Sequence, residues 1–288
     1  MKTMDTEHKL AMRDSIRVTY RTTRAGRPRP TLVLLHGLAS NMTRWSEFVT
    51  ATSLGRNWDL LRPDLRGHGG SICRTRTGMD VWSDDLAEVL RAEGVTRAVL
   101  VGHCLGANLA LRCAPRHPEL VSGLVLIEPM FRQALSGNLA KVSAIRALLT
   151  ALVRPLLCLA QSGLHRRKIA TIDLEELDRQ TRQAMADVGD FPAKRYASIV
   201  EDLRIMPTAM FLQDLIAVSG PLPLERVRVP ALALLSRGGA FGDPAMTEKL
   251  LAGLPHCEVE HLDALHWIPT EQPEAMRRAI EDWCDRLL

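Results

Sequence analysis

Residues 99–111, VLVGHCLGANLAL, constrain this chain more than any other stretch. A β-branched apolar run changes to a helical pattern across Gly102-His103-Cys104-Leu105-Gly106. A strand reversing so sharply into a helix lifts one side chain clear of the sheet, and glycines at both ends remove Cβ atoms that would clash where the turn crosses its neighbours. Cys104 stands at the tip of that turn. The helix starting there points its free N–H groups and positive dipole end at the sulfur, which favours thiolate over thiol. A cysteine packed as a small core residue is the other reading, but it needs no flanking glycines.

Around this turn, strand and helix patterns alternate. SIRVTY at 15–20 reads as an edge strand, and TLVLLHG at 31–37 and WDLLRPD at 58–64 read as buried strands. MDVWSDDLAEVLRAEG reads as a helix capped by Asp80, with Trp82, Leu86, Val89 and Leu90 on one face and Gly94 at its end. A strand at 98–102, a helix at 105–115 and a strand at 122–128 follow. Such units imply an α/β fold with a mostly parallel sheet flanked by helices, and ligands bind at the carboxyl ends of such strands.

Residues 131–222 break the rhythm. Leu135, Leu139, Val142, Ile145, Leu149 and Leu152 recur at helical spacing, and further helices are expected at 173–186, 193–204 and 207–218. The alternation resumes with a strand at 230–236, a helix at 244–254, a strand at 257–263 and a last helix from Pro273. The expected organisation is a core in two parts, 1–130 and 223–288, with a helical insertion at 131–222. Met130, Phe131, Met206, Met210 and Phe211, near the insertion's two junctions, suggest a hydrophobic pocket roof or the packing of insertion on core.

Composition narrows the class. The 288 residues, 46% hydrophobic and 24% charged, suit one α/β domain with an insertion. No apolar run reaches the length of a membrane span, and the charged N-terminal stretch has no secretory pattern, so a cytoplasmic location is expected. Six cysteines without metal-ligand spacing read as free thiols, with Cys73, Cys113, Cys158, Cys257 and Cys284 as core filler. The net charge of +4 has no basic stripe behind it except HRRK at 165–168, a solvated helix end, which excludes nucleic acid as a partner. Metal and dinucleotide cofactors are not expected, for want of ligand spacing and of a GxGxxG turn after the first strand.

Four motifs in order carry a family resemblance. LLHGLAS at 34–40, RPDLRGHGGS at 62–71, VGHCLG at 101–106 and LDALHWIPTEQPEAM at 262–276 resemble the oxyanion loop, the turn after the fourth core strand, the nucleophile elbow and the histidine loop of α/β-hydrolases. The chain resembles the subgroup with a helical cap between core strands 6 and 7, with Cys in place of the nucleophilic Ser. The resemblance implies Cys104 as nucleophile and His266 as its base. It also implies an oxyanion hole of backbone N–H groups from Leu38 and Leu105. His36 and His68 read as loop-holding residues, His103 as a neighbour turned from the cavity, and His256 and His261 as lying before or within a strand. The acid departs from the pattern. The slot that usually holds Asp is Gly239 in LLSRGGAFGDP. Glu128, after the sixth strand, is the preferred acid and the start of the cap its competing role. Asp243 is the alternative, with helix capping as its competing role.

A thiol makes attack on a carbonyl easy and leaves a thioester still activated for transfer. The expected activity is hydrolysis of an acyl ester, thioester or lactone of a medium-sized apolar metabolite, free or carrier-bound. Cysteine elbows of this kind are similar to those of dienelactone hydrolases and some polyketide thiohydrolases. The alternatives are an acyltransferase, cyclase or lyase of secondary metabolism, and a non-catalytic ligand-binding member of the fold.

Overall fold

In the strand runs, alternate residues serve opposite faces of one sheet. The computed structural model describes residues 4–24, 29–165, 168–188 and 191–287. The elements before residue 130 are β1 (Met4–Ala11), β2 (Arg17–Arg24), β3 (Thr31–Leu35), α1 (Ser46–Ala51), β4 (Asp59–Pro63), α2 (Met79–Ala92), β5 (Ala98–His103), α3 (Leu105–Arg116) and β6 (Val121–Ile127). Helices α4 (Gly137–Ala144), α5 (Arg146–Gln161), α6 (Leu174–Val188), α7 (Ala193–Tyr196), α8 (Ile199–Ile205) and α9 (Thr208–Val218) come next. The chain closes with β7 (Ala231–Ser236), α10 (Pro244–Leu251), β8 (Cys257–Leu262), α11 (Ile268–Glu271) and α12 (Pro273–Asp285).

The sheet has eight strands in the order β1-β2-β4-β3-β5-β6-β7-β8, antiparallel where β1, β2 and β4 meet and parallel from β4 onward. Val33, Leu35, Leu100, Leu124 and Leu126 pack with Trp82, Leu86 and Leu109 of α2 and α3 on one face. Their strand neighbours Leu32, Leu34, Val99, Val101 and Val125 pack with Phe48, Ile280 and Trp283 of α1 and α12 on the other. Burial of both faces explains why these strands read as unbroken apolar runs.

Several expectations change. The edge strand is β1, not the run at 15–20: β2 lies inside, paired with β1 and with β4. β1, MDTEHKLA, holds its place through backbone pairing and has little apolar patterning. Asp80 does not cap α2; Gly78 occupies that position at φ +135°, and Asp80 accepts from Arg112 Nε at 2.7 Å. The 135–152 pattern is two helices, α4 and α5, bent by 74°, and 193–204 is likewise two, α7 and α8. Among the described residues no single helix is long and apolar enough to cross a membrane, and α4 and α5 reach that test only together. Cys73, Cys113 and Cys284 are buried and the half-buried Cys257 packs against the main core, but Cys158 is exposed on α5 and is not core filler. Arg166 and Arg167 of the HRRK run lie outside the described residues.

At its two ends the helical segment is fastened to α3. Asn108, fully buried, donates from Nδ2 to the carbonyls of Met130 (2.8 Å) and Val218 (3.2 Å) and accepts the Met130 N–H at 2.8 Å. Met130 and Phe131 belong to the main core, whereas Met206, Met210 and Phe211 pack around Cys73 with Leu38 against them. These contacts are packing of the helical segment on the core. Further along, His68 Nε2 pairs with Asp214 Oδ2 of α9 at 2.7 Å, and Arg44 pairs with Asp178 of α6, both out of water.

Candidate active site

The turn at Cys104 works as its glycines require. A Cβ on Gly102 would sit 2.2 Å from the carbonyl group of Gly106, and one on Gly106 would sit 2.3 Å from Leu35 O. No side chain fits at either place. Cys104 itself adopts φ +53°, ψ −111° at the N-terminus of α3, a conformation that costs an L-residue strain and that clusters at functional sites. Glu128 (φ +51°) and Ala39 (φ +47°) share the left-handed region.

Three of the residues singled out in the sequence meet here. Glu128 follows the last residue of β6; its Oε1 accepts the Ser236 N–H at 2.5 Å and its Oε2 lies 2.9 Å from His266 Nδ1. The Cys104 side chain lies beside the imidazole, close enough to favour its charged form. Burial of the ring opposes its charge, but the interactions with Cys104 and Glu128 outweigh burial and raise its pKa to about 10. Cys104 is 9% exposed and the His266 side chain 4% exposed, so the three groups interact with little water to screen them.

Asp243 is not brought to the histidine. It is exposed, and its Oδ1 accepts the N–H groups of Ala245 (3.0 Å) and Met246 (3.3 Å), so its carboxylate caps α10. Gly239, in the slot expected to hold Asp, has φ +57°, and a Cβ there would meet Gly242 O at 2.9 Å. A side chain there would be strained, and the carboxylate found at the imidazole is that of Glu128.

The two segments that carry the expected amides both approach the turn at Cys104. Leu105 is the first residue of α3, where an N–H has no partner within the helix. Gly37, just before Leu38, lies so near the turn that a Cβ on it would be 3.4 Å from Cys104 Cβ. His36 holds this loop: its Nε2 accepts the Leu65 N–H at 3.0 Å, which leaves Nδ1 to face Gly37 O at 2.9 Å. Burial first, then the nearby His68, keep His36 neutral, as that tautomer requires. A pocket of about 80 Å³ lies on this side, between Ser40, Asn41, His68 and residues 169–172.

Sequence reasoning missed three neighbours. His103, expected to turn from the cavity, is buried beside His266 with ring centroids 5.1 Å apart, and its Nε2 lies 3.1 Å from His266 O. Phe241 meets the His266 ring edge-on at 4.8 Å. Glu271 accepts from the backbone of the histidine loop; Pro269 and an acidic residue in a first helical turn are the signal that marks it. His256 lies before β8, and His261, within β8, pairs with Glu248 at 3.4 Å.

Comparison with known proteins agrees with this architecture. Residues 30–273 match the family model of the alpha/beta hydrolase fold. A putative esterase/lipase of Haemophilus influenzae is 24% identical over 263 residues, 89% of this chain and 84% of that protein. A probable alcohol acetyltransferase of Saccharomyces cerevisiae is 26% identical over 302 residues, 98% of this chain and 84% of that protein. The solved thioesterase domain from the curacin biosynthetic pathway superposes with a TM-score of 0.67 at 18% identity, covering 96% of this chain and 99% of its own. The chain belongs to the α/β-hydrolase fold family and is an enzyme of that fold.

Proposed function

We propose that this chain cleaves an acyl ester, thioester or lactone through Cys104, His266 and Glu128, with residues 131–222 acting as a cap over the site. The observation that carries the reading is His266 held at Nδ1 by Glu128 Oε2, 2.9 Å away, beside Cys104 at the N-terminus of α3. Glu128 fixes the tautomer and stabilises the imidazolium. The Cys104 sulfur attacks the carbonyl carbon, and the oxyanion that forms is received by the N–H groups of Leu38 and Leu105. Nε2–H of His266 protonates the leaving oxygen or sulfur as the carbon–heteroatom bond breaks, giving an acyl-thioester on Cys104. The now neutral imidazole takes a proton from water, the hydroxide attacks the thioester carbonyl, and the thiolate leaves to restore the pair.

A second reading has an observation of its own. A residue only 9% exposed limits the entry of water to the thioester, and one relative is a probable alcohol acetyltransferase. Both support transfer of the acyl group to an alcohol, amine or thiol acceptor at the same site. The substrate class is then a small acyl compound, free or carrier-bound.

Intact-mass measurement with short aryl esters and thioesters tests the covalent step. Wild type gains one acyl group; Cys104→Ala gains none and loses about 10⁴-fold or more in turnover. Glu128→Gln loses about 10²–10⁴-fold. An adduct that persists in Cys104→Ala overturns the mechanism, and added alcohol that diverts product from acid to ester selects transfer.

The pH profile supplies a second check. Leaving-group protonation needs His266 charged, so kcat/KM for alkyl esters falls as pH rises through about 10, where the ring loses its proton. 4-Nitrophenyl esters, whose leaving group departs as an anion, lack that limb. Glu128→Gln moves the limb toward neutral pH.

A further inference from the structure

We infer that Glu271 is a positioning residue, whose carboxylate fixes the backbone of the histidine loop so that the His266 imidazole stays registered against Cys104. The inference rests on the reading of Cys104 and His266 as the reactive pair.

The accounting of backbone groups points to it. Glu271 Oε2 accepts the Leu265 N–H at 2.9 Å, and Oε1 accepts those of His266 (3.2 Å) and Trp267 (2.8 Å). Three consecutive amides thus converge on one carboxylate, the inverse of the concave anion sites that successive N–H groups build for ligands. This is more than capping. α11 begins at Ile268, and the amides held are those of the residues before it.

The carbonyl side of the loop is held by other groups. Leu265 O accepts from Ser236 Oγ at 2.9 Å, and His266 O pairs with His103 Nε2 at 3.1 Å. Among the described residues Glu271 alone answers all three N–H groups. Apolar burial does not substitute for it at Leu265, which is 37% exposed. Charge-assisted bonds from a carboxylate to N–H groups are about twice as strong as neutral ones. Gly238 and Ala240 donate further to the carbonyls of Ala264 (3.0 Å) and Leu265 (3.2 Å), so loss of the carboxylate leaves the loop held on its carbonyl side alone and free to shift Nε2 relative to the sulfur. A displacement of about 1 Å at a reacting group costs on the order of a hundredfold in rate.

The test compares Glu271→Gln and Glu271→Asp with Glu274→Gln, which removes an exposed carboxylate on α12 paired only with Arg278. The variants are followed by circular dichroism, by kcat and KM on an aryl thioester, by imidazole NMR titration of His266 and by hydrogen exchange at 265–267. Glu271→Gln is expected to fold, to lose about a hundredfold in kcat with KM little changed, and to exchange faster at the three amides. Its His266 titration shifts from about 10 toward the ordinary value of 6.5. Glu271→Asp falls between, and Glu274→Gln matches wild type.

Unchanged kcat and an unchanged His266 titration in Glu271→Gln overturn the inference, as does an equal loss in Glu274→Gln. If Glu271→Gln does not fold, Glu271→Asp decides on the same readouts. The titration and exchange need no substrate. If wild-type Cys104 forms no acyl adduct, the hydrolase reading fails by itself and the Glu271 assignment is judged on those two measurements.

Discussion

The sheet and the helical segment between β6 and β7 solve the same problem in opposite ways. In β3, TLVLL, and β5, AVLVGH, every residue is buried, and the glycine in β5 is fixed by contact with the next turn of chain. In α5, RALLTALVRPLLCLAQ, no residue is fully buried, and Leu148, Leu152 and Leu159 are 45–58% exposed. One region is determined by close packing, in which a methyl group is felt. The other is held to the core by the buried apolar side of α9 and by separate polar links, Asn108, His68 to Asp214 and Arg44 to Asp178, and leaves apolar surface open on α5. The helical segment thus has freedom to vary that the sheet lacks, and the residues expected to do chemistry all stand on the sheet side.

The contrast breaks if the two regions respond alike to substitution. Gly102→Ala should have the largest effect: its methyl would lie 2.2 Å from backbone, and the expected result is no folded protein by circular dichroism. A native-like melt would show that the turn can relax. Asn108→Ala, which strips partners from buried groups of Met130 and Val218, should cost about 2–4 kcal/mol in urea unfolding. A near-zero cost would mean that the helical segment is held elsewhere. Asp243→Ala removes the cap of α10 and should cost about 1 kcal/mol with turnover preserved; lost turnover would return Asp243 to the site. Leu152→Gln on the open side of α5 should stay within about 0.5 kcal/mol of wild type, and a larger loss would reveal a contact that its exposure conceals.

What could be read from the sequence follows the same division. β3, β5, β6 and β7 are legible because strands buried on both faces leave an apolar run that turn residues delimit. β1 is not, since an edge strand with one polar ladder carries no such signature. The bend between α4 and α5 is invisible to periodicity, which continues through Ile145 while the axis turns by 74°. Cys104 and His266 could be singled out because their motifs occur in order along the chain, Glu128 because it follows the sixth strand, where some members of the resembled family carry the acid, and the glycines at 102 and 106 because steric need fixes their spacing. Gly239 was legible as a departure, but only the φ of +57° explains it. Glu271, Asn108 and His103 act on main-chain atoms of distant residues, and bonding of that kind leaves no repeat and no spacing to read.

Asn108 joins both ends of the helical excursion to the helix that begins at Cys104. Swinging the helical segment as a rigid body about its two attachments would break three hydrogen bonds at one buried amide. Flexing among α4 to α8 leaves all three intact. Any movement of the helical segment that keeps Asn108 paired is therefore confined to the stretch between its two anchored ends.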